Sequence, residues 1–133
     1  MKKVFILLFF VLIFILVMFK HDPQPSLRGF YESERVEGYI VQLSFHPEEK
    51  SFIEFIDNRQ VNKGTYQLKK DNVYQLNGDV QNIELTLSNE NAFDVVIEKL
   101  NNGKPIQVIN ISAIPSYFST EFNDVEAYKE LLN

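Results

Sequence analysis

The chain has 133 residues, 45% hydrophobic and 14% aromatic, with 18 acidic and 13 basic side chains and neither cysteine nor tryptophan. That length holds one domain plus one appendage, and the lack of cysteine excludes disulfides and cysteine-linked lipid attachment. All 18 acids lie beyond residue 20, against 10 bases there, and the resulting formal charge near −8 argues against nucleic acid and against anionic lipid as partners of that part.

The appendage comes first, as "MKKVFILLFFVLIFILVMFK". Residues 4–19 are all apolar. As a helix they would span ~24 Å at 1.5 Å per residue. A bilayer core is ~30 Å thick, and Lys2, Lys3 and Lys20 can extend the reach by snorkelling. A basic start fits both a signal peptide and a signal anchor. The boundary reads "VMFKHDPQP", without the small residues that cleavage needs. The expectation is an uncleaved transmembrane signal anchor over residues 1–20, with secretion after cleavage as the alternative. Lys2 and Lys3 place the N-terminus on the cytoplasmic side, so the rest would be extracytoplasmic. "HDPQPS", residues 21–26, reads as a short extended linker because of its two prolines.

From residue 27 to residue 133 the pattern is that of an all-β domain with one C-terminal helix. Tyr, Phe, Ile, Val and Leu alternate with polar residues in short runs, and turn-forming clusters recur about every ten residues. Eight strands are predicted: residues 27–33, 37–45, 52–58, 63–69, 73–77, 83–88, 92–100 and 104–111.

Three hairpins can be tested for register. In "KGTYQLKKDNVYQLNG" a two-residue loop would set Tyr66 against Gln75. A three-residue loop, Lys70-Asp71-Asn72, instead sets Tyr66 against Leu76 and Leu68 against Tyr74, and leaves Asn72 in the left-handed position such a loop requires. A loop Asn89-Glu90-Asn91 would likewise pair Leu87 with Phe93, Leu85 with Val95 and Ile83 with Ile97. A loop Asn101-Asn102-Gly103 would pair Val95 with Ile109 and Phe93 with Ile111, although Ile97 would then meet Gln107.

Short hairpins make sequential strands antiparallel neighbours. Closure of the meander into a small up-and-down barrel removes its two edges. Pro105 suits the start or rim of the last strand. In "FNDVEAYKELLN", Phe122, Val125, Tyr128 and Leu132 form a helical stripe, and Asn123 with Glu126 has the spacing of a capping box.

An anchored meander of eight short strands with a C-terminal helix resembles the small bacterial lipocalin-like (calycin) domains, over roughly residues 27–132. Where those carry Gly-x-Trp on the first strand, "LRGFYES" has Gly29-Phe30-Tyr31, with Tyr31 in the place of Trp. The resemblance implies a barrel architecture and a ligand-binding role.

The residues offer little for catalysis. His21 lies in the linker and His46 in "SFHPEEK". No HExxH, nucleophile elbow or Gly-rich phosphate loop occurs. "HPEEK" with Asp57 has no metal-ligand spacing and reads as a charged turn. No enzyme, cofactor or metal site is expected.

Four tyrosines fall at inward positions of the assumed register: Tyr31, Tyr39, Tyr66 and Tyr74. A buried hydroxyl needs a partner, so these four are the candidate ligand-binding residues of a polar-tipped pocket. The competing reading is that their rings fill the barrel and their hydroxyls reach its rim. Ile114, Tyr117 and Phe118, in "SAIPSYFST", would either face a partner or plug the barrel end. The expected function is non-enzymatic binding, of an envelope protein partner in an inhibitor, immunity or accessory-subunit role. The alternatives are binding of a small apolar ligand and a purely structural envelope role.

Overall fold

The computed structural model describes residues 1–18 and 24–133. Phe19 and Lys20, at the end of the expected anchor, and residues 21–23 of the expected linker lie outside the described residues. The N-terminal run forms helix α1, Lys2–Met18, with no buried residue. Seventeen residues rise only ~26 Å. Among the described residues no helix is long and apolar enough to cross a membrane, so the transmembrane expectation exceeds what this helix supplies by itself.

Beyond it, eight antiparallel strands form one sheet: β1 (Gly29–Ser33), β2 (Val41–His46), β3 (Ser51–Ile56), β4 (Arg59–Lys70), β5 (Val73–Gly78), β6 (Asn82–Thr86), β7 (Ala92–Val95) and β8 (Ile106–Ser112). Their order, β6-β5-β4-β3-β2-β1-β8-β7, is a meander whose last hairpin folds back onto the first strand, giving a nearly closed barrel. Gly29 permits that closure. Its φ is +83°, and a Cβ there would overlap the Ser112 carbonyl. Pro105 lies just before β8 and interrupts no ladder.

The first hairpin has the predicted register. Tyr66 faces Leu76, Leu68 faces Tyr74, and a bulge separates Leu68 from Lys70. Asn72 takes the left-handed conformation at φ 59°. The other two tests fail in part. Asn91 is left-handed, at φ 58°, and Ser88 N–H donates to the Ala92 carbonyl, but β6 and β7 share no ladder. The seam of the barrel lies there. Apolar residues of both strands can point inward whether or not the backbones pair, so alternation could not distinguish the two arrangements. At the third hairpin Val95 faces Ile106 and Phe93 faces Val108, three residues from the predicted register. Strand β7 ends at Val95. Ile97 and Leu100 are buried in a longer connection that ends in the turn Asn101–Gly103, whose three residues all have positive φ. The inward residues of β8 are therefore Ile106 and Val108. Ile109 and Ile111 point outward, 48% and 53% exposed.

The core is aromatic and aliphatic, with Tyr31, Leu43, Phe45, Phe52, Ile56 and Leu76 almost wholly buried. Burial of each such side chain contributes roughly 1.5–3 kcal/mol. Residues 113–122 run as a strap over the outer face of β1, β2 and β3 rather than into the barrel. Ser116 N–H donates to Ser44 Oγ at 2.9 Å, and the Phe118 ring lies against Phe30 and Phe55 at 6.0 and 4.8 Å.

Helix α2 (Val125–Lys129) follows, continued by a 3₁₀ turn, Glu130–Leu132, that buries Leu132. The capping box does not form, and the N-cap is Asp124, without a side-chain cap bond. Its carboxylate is drawn instead to Arg59, which donates Nε–H and Nη2–H to it at 3.0 Å each. A bidentate, charge-assisted pair outcompetes a cap.

Candidate functional site

Three of the four candidate tyrosines meet inside one end of the barrel. Tyr31 packs against Phe45 and Phe93, with centroids at 5.5 and 4.9 Å, and Phe45 lies edge-on to Tyr66 at 5.4 Å. Tyr66 and Tyr74 are 6.3 Å apart. Each hydroxyl has a protein partner. Tyr31 donates to Asn91 Oδ1 at 2.6 Å. Tyr66 donates to the Leu27 carbonyl at 3.4 Å, and Tyr74 accepts from the Leu27 N–H at 3.3 Å. The two tyrosines thus hold both backbone groups of one residue, and the Leu27 side chain is buried in the core. The chain entering from the N-terminal side closes this end, helped by Gln24, which donates to the Leu87 carbonyl. Burial pushes the Tyr31 phenol up to about 12, so it stays a neutral donor.

Tyr39 lies apart. It precedes β2, bridges to Val36 and packs edge-to-face on Tyr128 at 5.8 Å. The same corner holds Arg59 between the rings of Phe122 and Tyr128, 3.9 and 4.5 Å from their centroids. Asp57 adds to it, accepting from the Ile40 N–H and from the Tyr128 hydroxyl. Ion pair, rings and carboxylate fasten the strap and α2 to the β3–β4 turn. Asp57 and His46 sit at opposite ends of the β2–β3 ladder, so "HPEEK" and Asp57 do not converge.

Sequence reasoning passed over Glu54. It is completely buried on β3, opposite Asn62, where β4 carries an extra residue, Val61. Asn62 Nδ2 donates to it at 3.0 Å and Gln81 Nε2 at 2.8 and 3.1 Å. Asn62 Oδ1 in turn accepts from Val80 N–H at 3.0 Å. Gly78 leaves the space Asn62 needs, since a Cβ there would strike its amide. No cation neutralises Glu54 among the described residues. Burial, opposed only by the two amides, raises its carboxyl to about 7. An acid at a strand position whose neighbours alternate inward, Phe52 and Ile56, was the available signal.

His46 is also buried, under Tyr117 at 4.8 Å, with no hydrogen-bond partner at either ring nitrogen. Ile114 and Tyr117 are 73% and 68% exposed.

Among the described residues, four surface depressions are lined by residues other than the tyrosine trio. One of about 290 Å³ runs along the β1–β8 junction, between Glu32, Glu34, Val36, Ile109 and Ile111. Comparison with protein-family models, curated proteins and solved structures finds no match for this chain.

Proposed function

We propose that this chain is a non-enzymatic binding domain, tethered to a membrane by α1, that recognises an envelope protein partner through the outer surface of its barrel. The observation that carries the reading is the filled interior. Tyr31, Phe45, Tyr66 and Phe93 interlock edge to face, and the hydroxyls that would greet a ligand are spent on Leu27 and Asn91. A barrel packed by its own side chains offers its outside for recognition.

The tether rests on α1. Residues 4–18 are apolar on every side of the helix and exposed throughout, a composition that water does not favour and a bilayer does. With Phe19 the run reaches sixteen residues, a little short of a typical span. Lys2 and Lys3 favour a cytoplasmic N-terminus, which makes the barrel extracytoplasmic. Short tethering suits a protein that waits for a partner at the membrane better than a carrier that must diffuse.

The test is capture of envelope proteins by the full-length chain in mild detergent, with co-purifying lipids analysed in parallel. A specific protein partner is the expected result. Recovery of bound lipid without protein would favour the carrier role, and recovery of neither would leave a structural role. The mature N-terminus, read by mass spectrometry, should start at or near Met1; a start beyond Lys20 would replace the tether with secretion.

A further inference from the structure

We infer that the groove along β1 and β8 is the docking face, and that it takes a partner segment presenting aliphatic side chains next to lysine or arginine. This rests on the protein-recognition reading above and specifies its surface and chemistry.

The outer face of the barrel is not uniform. On β4 the outward residues are Lys63, Thr65, Gln67 and Lys69, and on β6 they are Asn82, Glu84 and Thr86, all exposed and polar. The part of the outer face of β1, β2 and β3 around Phe30, Ser44 and Phe55 lies under the strap, where Phe118 covers Phe30 and Phe55. Strand β8 differs from both. Ile109 and Ile111 stand about half exposed on an outer sheet face, two residues apart and so ~7 Å along the strand. The strap begins immediately after β8 but leads to β2, leaving these isoleucines bare.

Charge decides the occupant. Ile109 is paired across the ladder with Glu32. Glu32 and Glu34 are the charged residues lining the groove, and no basic residue lines it. Glu32 is half-buried and Glu34 exposed, and Asp94, next to Gln107 of β8 in the β7–β8 ladder, adds a further exposed acid on this side. Glu32 accepts one hydrogen bond, from Gln42 at 3.1 Å. Among the described residues neither Glu32 nor Glu34 has an ion-pair partner. An apolar floor with unpaired carboxylates at its margin complements an aliphatic segment flanked by cations. It repels an acidic segment and gains little from a purely polar one. The formal charge near −8 of the part beyond Lys20 would steer the same partner inward from a distance.

The experiment uses the full chain in phosphatidylcholine nanodiscs, so that a cationic probe finds no anionic lipid. The probes are three short peptides, alternating lysine–leucine, glutamate–leucine and lysine–serine. The expected result is saturable binding of the lysine–leucine peptide alone, weakened by added salt, with amide shift changes confined to β1, β8 and the residues between Ser33 and Val36. Ile111→Ser should weaken binding about tenfold or more, as expected for an anchor at the centre of an interface. Glu34→Lys, at an exposed position that leaves the fold intact, should abolish the preference for the basic peptide.

Equal binding of the glutamate–leucine peptide, shift changes elsewhere, or no saturable binding would overturn the proposal. An envelope partner whose capture is unaffected by both variants would overturn this face and leave protein recognition standing. Peptide binding here without any captured partner would leave the face standing and overturn the envelope-protein reading.

Discussion

Tyr66 and Tyr74 work as a pair of tongs on Leu27. Each hydroxyl closes one polar group of a backbone that would otherwise be buried without a partner. Removing either should cost about 1 kcal/mol, since the bonds are long but their partners are buried. Tyr66→Phe and Tyr74→Phe should each lower stability by that amount in urea unfolding. Tyr74→Phe should also speed hydrogen exchange at the Leu27 amide, which Tyr66→Phe should leave nearly unchanged.

Glu54 ties stability to pH. Its carboxyl titrates near 7 in the folded chain, against 4.5 ordinarily. Between those values the folded state keeps a proton that the unfolded state has released. Stability is therefore full below about pH 4.5, falls as pH rises to about 7, and is level above that. The shift corresponds to about 3 kcal/mol. Glu54→Gln should flatten the profile measured by denaturant unfolding between pH 5 and 8 and should exceed the wild type at pH 8. The Gln81 amide can turn to accept from the new side chain, as it must from the protonated acid. A slope that persists in the variant would place the titrating group elsewhere.

At the scale of elements, the strap and α2 are held by two separate devices. Phe118 supplies burial over Phe30 and Phe55, and Arg59 supplies the ion pair to Asp124 and the two ring contacts. Phe118→Ala should destabilise the fold by about 2 kcal/mol, less than a fully buried Phe would, because the ring is not completely covered. Asp124→Ala should instead act locally. Limited proteolysis between residues 113 and 123 should become several-fold faster, while the unfolding midpoint of the barrel changes little. The seam has its own signature. The edge amides of β6 and β7 that face each other lack ladder partners, so they should exchange well before those of β2 and β3, which are paired on both sides.

At the scale of the whole molecule, the filled interior and the apolar α1 make two different claims on apolar matter. The barrel should not take it up, and titration with a fluorescent fatty acid should give no saturable signal. The helix should seek it. The chain should float with phosphatidylcholine vesicles, and Leu12→Lys, which puts a charge in the middle of α1, should reduce that partition by about a hundredfold.

How much of this was legible beforehand varies with the kind of interaction. Alternation and turn chemistry are local, and they determined the eight-strand antiparallel meander, the register of Tyr66 against Leu76, the left-handed Asn72 and Asn91, and the short C-terminal helix. They also singled out Tyr31, Tyr66 and Tyr74 as inward side chains. Only the tertiary structure decided where the sheet opens, because inward residues at β6 and β7 are satisfied by the core with or without backbone pairing. It decided the partners of the tyrosine hydroxyls, which lie 39 to 60 residues away in sequence. It placed Ile109 and Ile111 outside, since a three-residue difference in register exchanges the two faces of a strand. It left the Asn123–Glu126 capping box unformed and turned the carboxylate of the N-cap residue Asp124 to Arg59, 65 residues distant. Periodicity carries what neighbours along the chain impose on one another. Closure, side-chain pairing and the exposed face depend on contacts between residues far apart in the chain, and no local pattern encodes them.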